Sequence, residues 1–402
     1  MSFQFPNKRA TAMATALVAL TALTACGADS PSANSASCQD GKVKIGVLLP
    51  LSGPAAAFGQ GVQQSMNFVA AQTNKSGGIE VGDSKCTIEL LEYDTKGTAE
   101  QASAGINKLI SEGATFVYGP NLSHEVTAVL PIAVRNNILM FEASYSSTGM
   151  SKDMPLVFGA VTTPSGFSGP MTEWVAKTYP NVKKVAVVVP DNQGGKDTAT
   201  INQKAYGAAG IDAAVVPFAE GTEDFAPFID RLLRDKPDAV DLASTPPGGA
   251  GVIIKQLRQA GFAGPVGRIG GESMAAITNA VGSAEALGDF FYYAPVNLES
   301  APVKEYQEQF KAEFGKEPLP VSAQLLPAAR LLVKAIDAAD STDPAEVAKA
   351  LEKLPIDDPT QGKGVWGGKE FYGINHEIIN DFYAGRYQNG KVTLTPLQVS
   401  EK

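Results

Sequence analysis

At 402 residues and 44% hydrophobic content, the chain is long enough to bury substantial cores and to form about two domains. A formal net charge of −9 argues against nucleic acid as a partner; the apolar run near the start is too short for the roughly 20 residues of a membrane span, and no other segment reaches that length. His124 and His376 are the only histidines, a meagre supply for acid–base chemistry or metal binding, so no cofactor or metal is expected.

The chain opens with Lys8 and Arg9, an apolar run over 10–23 and then Leu23-Thr24-Ala25-Cys26. This stretch resembles a bacterial lipoprotein signal peptide over 1–25, which implies cleavage before Cys26 and lipid on the new terminus. The expected location is the extracytoplasmic face of the cell membrane. Removing residues 1–25 takes two basic residues and no acidic one, so 33 basic residues become 31 against 42 acidic, a net of −11. Residues 27–37 are small and polar and read as a flexible tether, so that anchor and tether together occupy 26–40.

Short β-branched runs then alternate with helical patterns. Strands are expected at Val43–Leu49, Thr87–Tyr93, Thr115–Tyr118 and Ile138–Phe141, with helices near 58–74, 98–112 and 123–136. A second series has strands at Lys184–Val189, Asp212–Pro217, Ala239–Leu242 and Val266–Ile269, with helices near 195–209, 223–235 and 248–260. Alternation of this kind builds right-handed βαβ units, so the expected class is α/β, two doubly wound parallel-sheet lobes joined by three crossovers. The last third supplies helices near 302–314, 321–339 and 344–353, a Gly-rich stretch at 362–368, and two strands turned by Asn389-Gly390. These segments are too short to fold alone and must dock on the lobes. Crossings are therefore expected near 160, 296 and 373, giving an N-terminal lobe of 41–160 plus 297–372 and a C-terminal lobe of 161–296 plus 373–402. A cleft between lobes is the default ligand site in such an architecture.

Cys38 precedes the first expected strand and Cys86 the second, which puts both at the N-terminal edge of neighbouring strands. With Cys26 lipidated, a Cys38–Cys86 disulfide follows, and closing a loop of that size stabilises the fold by about 4 kcal/mol. Catalytic signatures are missing: there is no Walker A loop, GxGxxG or CxxC, and Gly166-Phe167-Ser168-Gly169-Pro170 ends in proline where a nucleophile elbow needs glycine. The chain is expected not to be an enzyme.

Leu49-Pro50-Leu51-Ser52-Gly53-Pro54 after the first strand, Asn74-Lys75-Ser76-Gly77-Gly78-Ile79, Glu92-Tyr93-Asp94-Thr95, Gly119-Pro120-Asn121-Leu122-Ser123 and Gly270-Gly271-Glu272 together resemble the leucine/isoleucine/valine-binding proteins, type I periplasmic binding proteins that serve ABC importers. The resemblance runs from about 42 to 395. It implies a monomeric receptor that closes on an amino acid and hands it to an ABC permease. Position by position, it implies that Ser123 at a helix start and Ser144, Tyr145 and Ser146 after the fourth strand hold the ligand carboxylate and ammonium. Glu272 takes the α-ammonium and Phe58 packs on the ligand. The plainer alternatives are a helix N-cap for Ser123, polar turns for Ser144 and Ser146, a solvated loop carboxylate for Glu272 and a core position for Phe58.

The chain departs from the family where tyrosines are common. It reads Asp191-Asn192-Gln193-Gly194-Gly195 and Ser244-Thr245-Pro246-Pro247, which moves specificity to Gln193 and Thr245. Glu142, where a smaller residue is usual, either reads a second cationic group or faces solvent. Two competing readings remain: an amide, urea or aromatic acid as ligand, or a sensor that signals to a membrane kinase.

Overall fold

The computed structural model describes residues 38–398 apart from 39, 54, 220, 221, 223 and 271–273. Cys26 and the signal and tether segments, and Glu272, lie outside the described residues. In chain order the first series is β1 (Lys42–Leu49), α1 (Ala56–Lys75), β2 (Ile79–Val81), β3 (Ser84–Asp94), α2 (Ala99–Ser111), β4 (Phe116–Tyr118), α3 (Ser123–Arg135), β5 (Leu139–Glu142) and β6 (Val157–Gly159). The second runs α4 (Pro164–Thr178), β7 (Lys184–Pro190), α5 (Gln193–Ala208), β8 (Asp212–Phe218), α6 (Ala226–Arg234), β9 (Ala239–Asp241), α7 (Pro247–Gln259), β10 (Val266–Arg268), α8 (Met274–Val281) and β11 (Phe290–Ala294). Then follow α9 (Ala301–Phe314), α10 (Ser322–Ala339), α11 (Pro344–Leu351), β12 (Ile356–Asp358), β13 (Gly362–Gly367), α12 (Lys369–Tyr372), β14 (Glu377–Asn380), β15 (Phe382–Gln388) and β16 (Lys391–Leu397).

Two sheets result, in strand order β12-β13-β14-β6-β5-β4-β1-β3-β2 and β16-β15-β11-β10-β9-β7-β8. Each has a parallel centre, set in the first sheet by the β1–β3 register that runs from Lys42 opposite Thr87 to Leu49 opposite Asp94. The edges are antiparallel, at β2–β3, β12–β13 and β13–β14 in one sheet and at β11–β15 and β15–β16 in the other. The sheets are thus mixed rather than wholly parallel. Central strands read as unbroken apolar runs because both faces are covered. In β1, Val43, Ile45, Val47 and Leu49 pack under α1, α9 and α10, while Leu48 faces the α2 and α3 side. The second sheet repeats this, with α4 and α5 on one face and α6, α7 and α8 on the other.

The short strands β6, β11, β12 and β14 and helices α4 and α8 escape sequence reading, since strands of three to five residues are too short to show a period and Gly166, Gly169 and Pro170 interrupt the apolar pattern of α4. The Gly-rich stretch is strand β13. A Cβ on Gly367 would meet Ile379 Cδ1 at 2.2 Å, so glycine is what lets β13 lie against β14. Strand β14 pairs with β6 and β13, so the chain still belongs to the first sheet at Asn380 and crosses to the second between Asn380 and Phe382, not near 373. Gly159 sits between two carboxylates of the first sheet, opposite Glu142 on one side and Glu377 on the other. Fully buried Glu377 reaches the start of α4, taking Thr163 N at 2.6 Å and Ser165 Oγ at 2.7 Å, while Thr162 Oγ1 donates to Ile378 O. Two of the passages between sheets therefore run side by side and are bonded to each other.

Cys38 and Cys86 form the disulfide, Cα to Cα 6.3 Å. Cys86 lies within β3 rather than ahead of it, because the strand starts earlier than its β-branched run. Among the described residues, no helix is long and apolar enough to cross a membrane.

Candidate functional site

Within each sheet the parallel strands end at one edge, and at most of them the helix that follows begins there. Two close approaches set the geometry. A Cβ on Gly59 would fall 2.1 Å from Pro50 O, and one on Gly195 would fall 2.0 Å from Pro190 O. At both places the helix, α1 after β1 and α5 after β7, can start tight against its strand only because glycine stands in its first turn. The N-termini of α3 and α5, one from each half, consequently face each other, with a Cβ position on Gly194 just 3.7 Å from Ser123 Oγ. Free N–H groups and helix dipoles from both sides favour an anion between them.

On the first wall, Ser123 is the first helical residue of α3, and the N-cap is Leu122, which makes no side-chain cap. The N-cap alternative for Ser123 is thereby overturned, because the helix starts one residue earlier than a serine cap requires. The loop after β5 is a braced polar turn. Glu142 Oε2 accepts from Ser144 N at 2.7 Å, Ser144 Oγ accepts from Ser146 N at 3.1 Å, and Ser146 Oγ accepts from Thr148 N at 3.3 Å. Accepting from Ser146 N, the Ser144 hydroxyl donates its proton to the Glu142 carboxylate, which lowers the Glu142 pKa against burial. Glu142 does not face solvent as one alternative had it: it is fully buried, Oε1 has no hydrogen-bond partner, and burial pushes its pKa from the ordinary 4.5 up to about 7, with Glu377 adding to the rise. Tyr145 packs its ring 5.8 Å from that of Phe167 in α4, joining the two halves. Phe58 is 36% exposed in the first turn of α1, so its core alternative fails as well.

On the second wall, Gln193 opens α5 and donates Nε2 to Asp197 Oδ1 at 2.8 Å. Thr245 is fully buried with its hydroxyl donating to Val188 O at 3.1 Å, which makes it a brace of its loop. The wall rests on Asp241, fully buried at the end of β9. Its carboxylate accepts from Ala243 N, Ile269 N and Asn202 Nδ2, and Asn202 Oδ1 accepts from Ser168 Oγ. Burial raises the Asp241 pKa against these bonds.

Several residues of the site receive no role from the resemblance. Asp94 takes Leu51 N, Ser52 N and Lys96 N on Oδ1 and Ser52 Oγ on Oδ2, shaping the loop after β1; burial pushes its pKa up, yet these bonds outweigh it and hold it low. Arg268 ends β10 buried, with Nε donating to Thr245 O at 2.9 Å. Its charge acts on the Tyr145 phenol, whose pKa burial pushes up to about 12. Neither histidine is poised for chemistry: His376 is buried against Phe158 and bonded to Val157 O and Glu352, and His124 bonds Gly97 O. No metal-binding cluster of His, Cys, Asp and Glu occurs among the described residues.

Residues 42–391 match the family model described as periplasmic binding protein. The chain is 28% identical over 334 residues to the leucine-, isoleucine-, valine-, threonine-, and alanine-binding protein of Pseudomonas aeruginosa, covering 80% of this chain and 85% of that protein. Among solved structures it is similar to the branched-chain amino acid transporter substrate-binding protein LivJ of Streptococcus pneumoniae in complex with isoleucine, at TM-score 0.73 and 22% identity over 89% of this chain and 99% of that one. It is likewise similar to an ABC transporter solute-binding protein of R. palustris in complex with benzoate, at TM-score 0.72 and 20% identity over 88% of this chain and 95% of that one.

Proposed function

Because this chain belongs to the periplasmic binding protein family, and so is a substrate-binding protein rather than an enzyme, we propose that it is the extracytoplasmic solute-binding lipoprotein of an ABC importer. It closes two lobes on an amino acid, branched-chain or related, and presents it to a membrane permease. The observation that carries the reading is the pair of opposed helix N-termini at Ser123 and Gly194, which offers a carboxylate partners from both lobes. Ser123 and Ser146 donate to the carboxylate, Ser144 braces the turn, Tyr145 and Phe58 cover the ligand, and Glu272 meets the ammonium. Gln193, Glu142 and Thr245 shape the remainder of the pocket, Thr245 through its loop. The ligand favours closure only through its higher affinity for the closed state.

The names of the relatives support branched-chain amino acids. The benzoate complex of a fold neighbour supports a second reading, a carboxylate ligand without an ammonium. Calorimetry with leucine, isoleucine, valine and benzoate on wild type and Glu272→Gln separates them. A charge pair with the ammonium predicts a loss of about 1.5–3 kcal/mol for the amino acids alone. Equal binding of the amino acids by both proteins would sink the ammonium contact. Anchoring is tested by Cys26→Ser, which should move the protein from the membrane fraction to the soluble one.

A further inference from the structure

We propose that Asp197 is the positioning residue that holds the cleft closed, a step that rests on the clamp reading above. Within the loop after β5, the N–H groups of Ser144, Ser146 and Thr148 are taken by Glu142, Ser144 and Ser146 of the loop itself. The N–H of Ser147 instead leaves its own half and donates to Asp197 Oδ2 at 3.0 Å, on the first turns of α5 in the other. The same carboxylate accepts Gln193 Nε2 on Oδ1 at 2.8 Å.

Three physical consequences follow from this arrangement. The bond from Ser147 N runs to a carboxylate oxygen, the stronger class of acceptor for a backbone N–H. Ser147 stands between Ser146 and Thr148 in the self-braced turn after β5, so the bond to Asp197 ties that turn to the other half and is broken when the lobes open. Because a carboxylate only accepts, it fixes the Gln193 amide with nitrogen toward Asp197 and carbonyl oxygen away, leaving an acceptor for a ligand N–H donor. Asp197 thereby lowers the free energy of the closed state before any ligand arrives, and a ligand of given contacts binds more tightly for it.

Small-angle scattering of the ligand-free full-length chain and isoleucine calorimetry, on wild type, Asp197→Ala and Asp197→Asn, test this. Asp197→Ala should increase the radius of gyration and weaken isoleucine binding about tenfold, the effect of one charged hydrogen bond. Asp197→Asn, which keeps an oxygen acceptor for Ser147 N, should fall between the two, and circular dichroism should show all three folded. Unchanged scattering in Asp197→Ala overturns the proposal, as does an Asp197→Asn protein as open as Asp197→Ala. If wild type fails to bind isoleucine, the ligand assignment fails while the scattering still decides the latch.

Discussion

The two walls of the cleft reach the same task by opposite means. The first wall is made of hydroxyls on a turn that braces itself, with Glu142 beneath it, and its polar groups sit close to one another in sequence. The second is assembled from afar: Asp241 draws together Ala243, Ile269 and Asn202, and through Asn202 reaches Ser168, so that two loops and two helices depend on one buried carboxylate. A self-braced turn can change its side chains locally, whereas a wall hung on a single hub should fail as a whole.

The first half also carries a staple that the second lacks among the described residues, the Cys38–Cys86 disulfide. Cys38→Ser should cost about 4 kcal/mol in chemical denaturation, and the loss should vanish when both proteins are compared under reducing conditions. In the second half, Asp241→Ala leaves buried donors without an acceptor and should cost about 3 kcal/mol by the same assay. Asp241→Asn should cost less, and identical losses for the two would remove the hub from the second wall.

Glu142 gives the first wall a pH signature. Its folded pKa, about 7, lies above the ordinary 4.5, so the folded state holds the proton more tightly. Stability from this group is full below about 4.5, falls as pH rises toward 7 and is level above it, a change on the order of 3 kcal/mol. Glu142→Gln should flatten that slope, measured by denaturation across pH; an unaltered slope would assign it to Glu377 or Asp241, whose pKa values burial raises too. The smallest effect is expected at Thr245→Val, about 1 kcal/mol of stability with ligand affinity kept. A tenfold loss of affinity would instead place its hydroxyl in the pocket.

The same contrast explains what could be read from sequence. Strands β1, β3, β7 and β8 announce themselves because seven or more residues carry the pattern, and the Leu49–Gly53 segment follows directly from β1. Strand β14 has four residues and sits between a histidine and an aspartate, so its place beside β6 depends on pairing across more than 200 positions of chain, which no local pattern records. Asp94 stood inside a quoted motif, yet its work of shaping the loop after β1 appears only when Leu51 and Ser52 are brought beside it. Asp197 and Arg268 were illegible for the same reason. Each is an ordinary charged residue until a partner from another element arrives.

Glu377, gripping Thr163 and Ser165, has a mechanical corollary. Two connecting strands with independent torsions could let the lobes slide, tilt and twist separately. Coupled through one carboxylate, a rotation in either is transmitted to the other, so the pair counts as one degree of freedom rather than two. In the clamp proposed above, such a coupled pair would confine the lobes to a swing about a nearly fixed axis and so keep Ser123 in register with Gly194.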